Sequence, residues 1–308
     1  MIFLKLIRFQ NLLLLALMQL IFRFGYLELI NIPLSLFYWQ YALLVFSTLF
    51  IAAGGYVIND IFDIETDQIN KPNKVIIGKF ISEDLAYKIY AGLTITGVAL
   101  GFLLANSISH PNFAIIFVLI ATLLYFYASQ LKQIAILGNV TIATLLGFSV
   151  IIIGIFDIFP NTFEVNKPQM TIAFSILLDY AKFAFILNLV REIIKDIEDI
   201  KGDNLHVMRT LPIVFGIEKT SKIAFALLLL PTLYLFYYIY NYLFSNNLYF
   251  GIFYLIIFVI APMIFCLIKI WNAKEKQDFT ASSKLLKWII FFGILSIVVI
   301  TLNIKFNV

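Results

Sequence analysis

Charge is what this 308-residue chain has least of: Asp, Glu, Lys and Arg make up 13% of it, against 62% hydrophobic residues. That balance excludes an ordinary water-soluble globular protein, because too little polar surface exists to cover an apolar core. A mean hydropathy of +0.97 says the same. Cysteine and histidine are nearly absent. The single Cys266 lies inside an apolar run, which excludes a disulfide framework and a thiolate metal site, and it reads as a small buried residue. His110 and His206 fall in connections without partner histidines, so neither points to a metal. Nothing in the charge distribution suggests nucleic acid as a partner. No low-complexity segment or composition shift marks a soluble domain, so residues 1–308 read as a single membrane domain.

What the chain has in quantity is long apolar runs. A spanning helix needs about 20 such residues, because lipid leaves every backbone polar group to be satisfied internally. Nine candidates are found, at about 11–30, 39–58, 85–106, 112–128, 137–157, 170–190, 223–244, 249–271 and 285–303. The predicted fold class is therefore all-α, a multi-pass bundle. Arg23 and Glu28 interrupt the first run and are expected to reach the interface. Lys5 and Arg8 ahead of that run resemble the start of a signal peptide, but no small-residue cleavage site follows, so the run is expected to be retained. Pro231 and Pro262 predict kinks in the seventh and eighth spans.

Lysine and arginine supply an orientation. With nine spans, all of the 22 except Arg23, Lys167, Lys182 and Lys305 fall on the side of the N-terminus. By the positive-inside rule that side is cytoplasmic, and the membrane expected is the cell's inner (plasma) membrane. Two long connections on that side, about 59–84 and 191–222, carry periodic apolar residues such as Ile76, Ile77, Phe80 and Ile81, and Leu205, Val207, Leu211 and Ile213. They are expected to form short interfacial helices capping a cavity.

Those same connections begin with the two informative stretches. Asn59-Asp60-Ile61-Phe62-Asp63-Ile64-Glu65-Thr66-Asp67 closes the second run, and Asp196-Ile197-Glu198-Asp199-Ile200-Lys201-Gly202-Asp203 follows the sixth. In each, three aspartates recur at i, i+3 and i+7, a spacing that stacks them on one helix face. Like charges so placed repel unless a cation sits between them. A hard divalent ion with oxygen ligands, Mg²⁺, answers that need, and Mg²⁺ completes its shell with phosphate oxygens. Lys71, Lys74, Lys132, Arg191 and Lys195 lie nearby and suit a diphosphate. An apolar, aromatic cavity behind it implies a long hydrocarbon tail. Departure of an allylic diphosphate leaves a carbocation, which Tyr125, Phe126 or Tyr127 could face.

These residues resemble the UbiA superfamily of intramembrane prenyltransferases, whose signatures are N-D-x-x-D-x-x-x-D and D-x-x-D-x-x-x-D. Asn59, Asp60, Asp63 and Asp67 match the first, and Asp196, Asp199 and Asp203 the second. The resemblance covers essentially the whole chain. It implies nine helices around a central cavity, and metal binding by those seven residues, with Asp60, Asp63, Asp196 and Asp199 catalytic. It further implies Mg²⁺-dependent transfer of a prenyl group from its diphosphate to an acceptor. Arg8 and Asn11 resemble cavity-facing residues of the family's first helix, and Lys132 with Gly138-Asn139 resembles a third conserved region. Tyr127 stands five residues before Lys132 where the family often has Tyr four before. Asn188 and Arg209 complete the expected substrate-binding set.

The stretch Asn188 to Asp203, with Thr210-Leu211-Pro212, is similar to digeranylgeranylglyceryl phosphate synthases. That implies geranylgeranyl diphosphate as donor and geranylgeranylglyceryl phosphate as acceptor, within isoprenoid ether-lipid biosynthesis. The alternative acceptor is aromatic, 4-hydroxybenzoate or a naphthoate. A cation-coupled transporter is the rival of another class, and it would place its carboxylates nearer mid-membrane. Asp179 and Lys182, at i, i+3 inside the sixth run, are expected to pair with each other, the alternative being a role in catalysis or acceptor binding. Lys274 and Lys276 read as anchors to anionic lipid headgroups.

Overall fold

The computed structural model describes residues 2–206 and 208–306. Among these, nine helices are long and apolar enough to cross a membrane. They are α1 (Phe9–Leu27), α2 (Tyr38–Phe62), α3 (Glu83–Ser107), α4 (Pro111–Ser129), α5 (Leu137–Asn161), α6 (Lys167–Leu205), α7 (Ile217–Phe244), α8 (Tyr249–Asn272) and α9 (Lys276–Phe306). The last eight each contain their predicted run, and α1 overlaps the first (11–30) but ends at Leu27, where turns follow. The class is all-α. Pairing outside helices, among the described residues, is limited to two isolated bridges, Ile77 with Ile81 and Ile134 with Arg209.

The helix ends differ from expectation in an informative way. The connection after α2 forms a short helix, Ile64–Asn70, but the periodic residues Ile76, Ile77, Phe80 and Ile81 that predicted one lie beyond it, in a turn closed by the Ile77–Ile81 bridge. The sixth helix, by contrast, does not stop at the membrane: α6 runs unbroken for 39 residues to Leu205. Only Leu211–Phe215 remains as a separate helix in that connection, and Val207 lies outside the described residues. Pro231 sits inside the regular helix Ile217–Tyr238, and Pro262 directly follows a π-turn, Ile256–Ile260.

The chain groups into two compact units. The first comprises Met1–Gln19, Ser35–Thr141 and Lys201–Thr210; the second Leu20–Leu34, Ile142–Ile200 and Leu211–Val308. Within the first, α2 and α3 approach closely through small residues. Ser47 Oγ donates to the Gly97 carbonyl at 2.6 Å, and a Cβ at Gly97 would lie 2.9 Å from the backbone nitrogen of Ile51. Lipid offers no hydrophobic drive between helices, so such close backbone packing supplies the cohesion. The apolar core of this unit gathers Leu6, Val57, Ile58, Ile77, Ala86 and Ala128.

The second unit has its own core, including Val190, Ile194, Leu228, Met263 and Ile289. All π-helical turns among the described residues belong to it: Arg23–Leu27, Gly154–Ile158, Ile239–Phe244 and Ile256–Ile260. The first two of these turns face each other chemically. Arg23, instead of reaching an interface, turns inward and pairs with Asp157; both side chains are buried, and Glu28 lies 3.3 Å from Arg23. A buried charge needs a partner, and Asp157 provides it where water does not. Leaving either charge unanswered would be strongly destabilising.

Replacing Gly97 by Val should push α3 off α2. The expected loss is about 1–3 kcal/mol, read as a lower melting temperature of the detergent-solubilised protein; an unchanged melt would show that the close approach is dispensable.

Candidate diphosphate and metal site

The first acidic signature is not one continuous helix. Helix α2 ends at Phe62, and Asp63 takes φ −98° and ψ 5°, joining it to the short helix Ile64–Asn70. Hydrogen bonds bridge the joint: the Asp63 amide donates to the Asn59 carbonyl at 3.0 Å, and the Asp67 amide to the Asp63 carbonyl at 2.8 Å. Asp60 thus sits on the last turn of α2, Asp63 at the bend and Asp67 beyond it. The helix that carries the three is interrupted at its middle member, with hydrogen bonds carried across the interruption.

Each of the first two carboxylates is answered by a cation from elsewhere in the first unit. Arg8 Nη2 donates to Asp60 Oδ1 at 2.6 Å. Lys132 Nζ donates to Asp63 Oδ1, and Asn59 Nδ2 donates to Asp63 Oδ2 at 2.6 Å. Lys132 is nearly buried, and both aspartates are about four-fifths shielded. The Arg8 guanidinium also lies 4.9 Å from the centre of the Tyr56 ring, a cation–π contact. Burial works against the Arg8 charge, but the negative potential of Asp60, Tyr56 and Asp67 outweighs it and keeps the guanidinium protonated.

Backbone geometry prepares both cations. Arg8 stands between the helix Ile2–Leu6 and α1 in the left-handed region, φ 49°, a conformation that costs a non-glycine residue free energy. Lys132 lies in the 3₁₀ turn Leu131–Gln133 after α4. Gly138 allows that turn to close, since a Cβ there would lie 2.7 Å from the Lys132 Cα.

The segment ending α6 also belongs to the first unit, and it is tied there three times. The Gly202 amide donates to Asn70 Oδ1 at 2.8 Å. His206 Nδ1 lies 3.6 Å from Glu65 Oε2. The Arg209 amide donates to the Gln133 carbonyl at 2.9 Å, beside the bridge to Ile134. The first contact needs glycine: a Cβ at position 202 would come within 2.5 Å of the Asn70 amide nitrogen. Asp203, the last member of the second signature, is buried one residue further on. The end of the second signature is therefore bound to the segment following the first and to the Lys132 turn.

Asp196 and Asp199 lie on the part of α6 in the second unit, and the unbroken helix keeps Asp196, Asp199 and Asp203 on one face. There the expected diphosphate cations meet a different acid. Lys195 Nζ contacts Glu192 Oε1 at 2.5 Å and Arg191 approaches the same oxygen at 3.6 Å. Glu198 accepts from Thr280 Oγ1 at 2.9 Å. Asn188 donates to the Ala184 carbonyl of its own helix at 2.8 Å, and Asp179 pairs with Lys182 at 2.9 Å as expected. Asn139 is buried, Asn11, Lys71 and Tyr127 are half-buried, and Lys74 and the Arg209 side chain are exposed.

Sequence reasoning missed Asn70 as a clamp, Tyr56 beneath Arg8 and Glu192 as a collector of charge. Spacing carried the signal for two of them: Tyr56 is one turn before Asp60, and Glu192 one turn before Asp196.

Among the described residues, no group of three or more His, Cys, Asp or Glu side chains is gathered closely enough to hold an ion. The donor set in the first unit nonetheless fits a hard cation, being carboxylate and amide oxygens throughout. Arg8 and Lys132 supply the balancing charge in this structure.

Comparison with known proteins adds lineage. Residues 24–295 match the model of the UbiA prenyltransferase family. The chain is 38% identical over 181 residues to a digeranylgeranylglyceryl phosphate synthase of Saccharolobus solfataricus, covering 58% of each chain; the matched stretch is thus under two thirds of that relative's length. A solved structure described as giving insights into digeranylgeranylglyceryl phosphate synthase in membranes matches with a TM-score of 0.60 at 29% identity, covering 98% of both chains. A UbiA homologue from Archaeoglobus fulgidus bound to DMAPP and Mg²⁺ shares the fold, with a TM-score of 0.56 at 17% identity over 96% of this chain and 99% of that one.

Asn70→Ala should release the segment 201–210. Loss of the buried amide contact costs about 1 kcal/mol, and hydrogen exchange at the Gly202 amide should quicken while α2 stays protected; unchanged exchange at Gly202 would contradict the clamp.

Proposed function

The chain belongs to the UbiA prenyltransferase family, and from that premise we propose that it transfers a prenyl group from a prenyl diphosphate to a membrane-associated acceptor, with Mg²⁺ as cofactor. The observation that carries this reading is the pairing of Asp60 with Arg8 and of Asp63 with Lys132. Carboxylates and cations are interleaved at the end of an apolar helix, which suits a metal and an anion bound together. The A. fulgidus homologue bound to DMAPP and Mg²⁺ supports it.

Asn59, Asp60, Asp63 and Asp67, with Asp196, Asp199 and Asp203, are the residues assigned to the metal. Bound there, Mg²⁺ would neutralise charge developing on the departing diphosphate. Arg8 and Lys132 share their donors between carboxylate and diphosphate oxygens, and Lys71, Lys74, Arg191 and Lys195 add positive potential. The allylic C–O bond of the donor breaks and pyrophosphate leaves with the electron pair. The acceptor hydroxyl forms the new C–O bond and gives its proton to the departing pyrophosphate. Apolar walls exclude water, which would otherwise capture the cation. Asn11, Tyr127, Asn139, Asn188 and Arg209 are assigned to substrate contact.

The acceptor we favour is geranylgeranylglyceryl phosphate and the donor geranylgeranyl diphosphate. The naming of the S. solfataricus relative supports both. The protein is an integral membrane protein; we further propose one prenyltransferase domain in the cell's inner membrane, with the N-terminus and site mouth cytoplasmic, on the distribution of lysine and arginine.

Asp60→Ala and Asp196→Ala should each lower turnover by about a thousandfold, while the protein still inserts normally in the membrane; retention of more than a few per cent of activity by either would contradict the metal assignment. Purified protein given labelled geranylgeranyl diphosphate should form an ether with geranylgeranylglyceryl phosphate, and EDTA should stop it. A carbon–carbon product with 4-hydroxybenzoate instead would move the acceptor to the aromatic class.

A further inference from the structure

The second unit contains a cavity that the proposed reaction does not use. It holds about 100 Å³ and lies among α6, α7, α8 and α9. Its walls include Tyr180, Leu187, Tyr238, Val259, Gly293 and Ser296. At Gly293 the space is open, since a Cβ there would meet no heavy atom within 4 Å. Tyr238 directly precedes one π-turn and Val259 lies within another; such turns are rare and concentrate at functional sites.

This cavity is separate from Asp196 and Asp199, the signature aspartates of the same unit. At about 100° per residue, the α6 positions that line it (Ile176, Tyr180, Phe183 and Leu187) centre about 160° around the helix from Asp196 and Asp199. It also lies deeper. Asp179, at its edge, is about 25 Å along the helix axis from Asp196.

Three of the wall's polar groups are already engaged. Tyr180 and Ser296 share a hydrogen bond of 2.8 Å, and Asp179 holds Lys182 at 2.9 Å. Apart from the rings of Tyr234 and Tyr238 the remaining lining is aliphatic, Phe183 or glycine, so the occupant it suits is hydrocarbon. Its size is bounded as well: an engineered cavity of about 150 Å³ holds one benzene, so this one takes roughly a single isoprene unit or a similar stretch of alkyl chain. Asp179 and the partly exposed Tyr234 mark the rim. Asp179 stands near the middle of the apolar segment 170–190 and Tyr234 near the middle of 223–244, the depth at which lipid chains end.

We propose that this cavity is a binding site for the terminal segment of a bilayer lipid chain, entering between α6 and α7 past Asp179 and Tyr234. The bound chain fills a packing gap in the second unit and so stabilises the folded protein by mass action. Its source is the surrounding bilayer, not the prenyl donor, whose diphosphate is assigned to the other face of α6.

The test uses the full chain in vesicles of phosphatidylglycerol containing a phosphatidylglycerol with a photoactivatable diazirine at the chain end. Illumination should label peptides within 176–187 and 289–300. Gly293→Leu, which fills the space, should lower that labelling about tenfold and leave prenyl transfer within about twofold, because it removes the bound chain's volume without touching the aspartate face. Gly293→Ala adds one methyl group into the same open space and should give an intermediate loss if the leucine variant does not fold. Equal labelling of wild type and both variants would overturn the proposal, as would no labelling of these peptides. Displacement of the label by added geranylgeranyl diphosphate would overturn it too, by showing that the chain belongs to the donor. Labelling is read without turnover, so failure of the proposed reaction would leave this result standing.

Discussion

An ionised carboxylate at the end of an apolar helix persists only where a positive charge answers it, and in this protein the answering charges come from far along the chain. Asp60 is held by Arg8, which precedes it by 52 residues, and Asp63 by Lys132, which follows it by 69. The requirement explains much of the local architecture. Arg8 accepts a left-handed backbone to reach its partner. Gly138 is needed so that the Lys132 turn can close. The same rule appears in the second unit, where Arg23 buries itself against Asp157 and Glu192 draws in Lys195 and Arg191.

Two kinds of information in the sequence fared differently. Helix number and limits follow from the solvent: lipid demands about 20 apolar residues per span, so nine runs become nine helices, and the deviations fall at the ends. Charge-bearing ends are governed by partners that sequence spacing does not reveal. The aspartate triplets have the same i, i+3, i+7 spacing, yet α6 carries one through unbroken while α2 bends at Asp63. Spacing alone cannot distinguish the two, because Asp63 is pulled by Lys132 and Asn59 from outside the repeat. Arg23 misled for a related reason. An arginine near a helix end ordinarily reaches water, and only the position of Asp157 turned it inward. The Asp179–Lys182 pair, local to one helix turn, was legible.

The segment Lys201–Thr210 shows how distant stretches become one locality. Helix α6 is continuous, so fixing its last turn to Asn70 and Gln133 fixes the register of Asp203 as well. A glycine at 202 permits that contact and a side chain would obstruct it. Function in this family is proposed to need both signatures; the structure supplies a covalent and hydrogen-bonded route by which the second signature's final carboxylate is held against the segment following the first.

The chemistry of the two answering cations differs in a way that bears on the proposed reaction. Arginine is always charged and presents a rigid planar fork, whereas lysine carries a compact charge on a flexible stem. Arg8, pinned by Asp60 and resting on Tyr56, is suited to remain in place while substrates come and go. Lys132 makes a single-point contact and can swing from Asp63 to an incoming phosphate oxygen without leaving its turn. On the proposed reaction, Asp63 is one of the residues that would hold Mg²⁺, and that ion would supply the positive charge given up if Lys132 turned to the diphosphate. Neither exchange leaves a buried charge unanswered, which is the condition the apolar surroundings impose. Exchanging the two residue types would break that division of labour, because a lysine at position 8 loses the fork and an arginine at position 132 loses the swing.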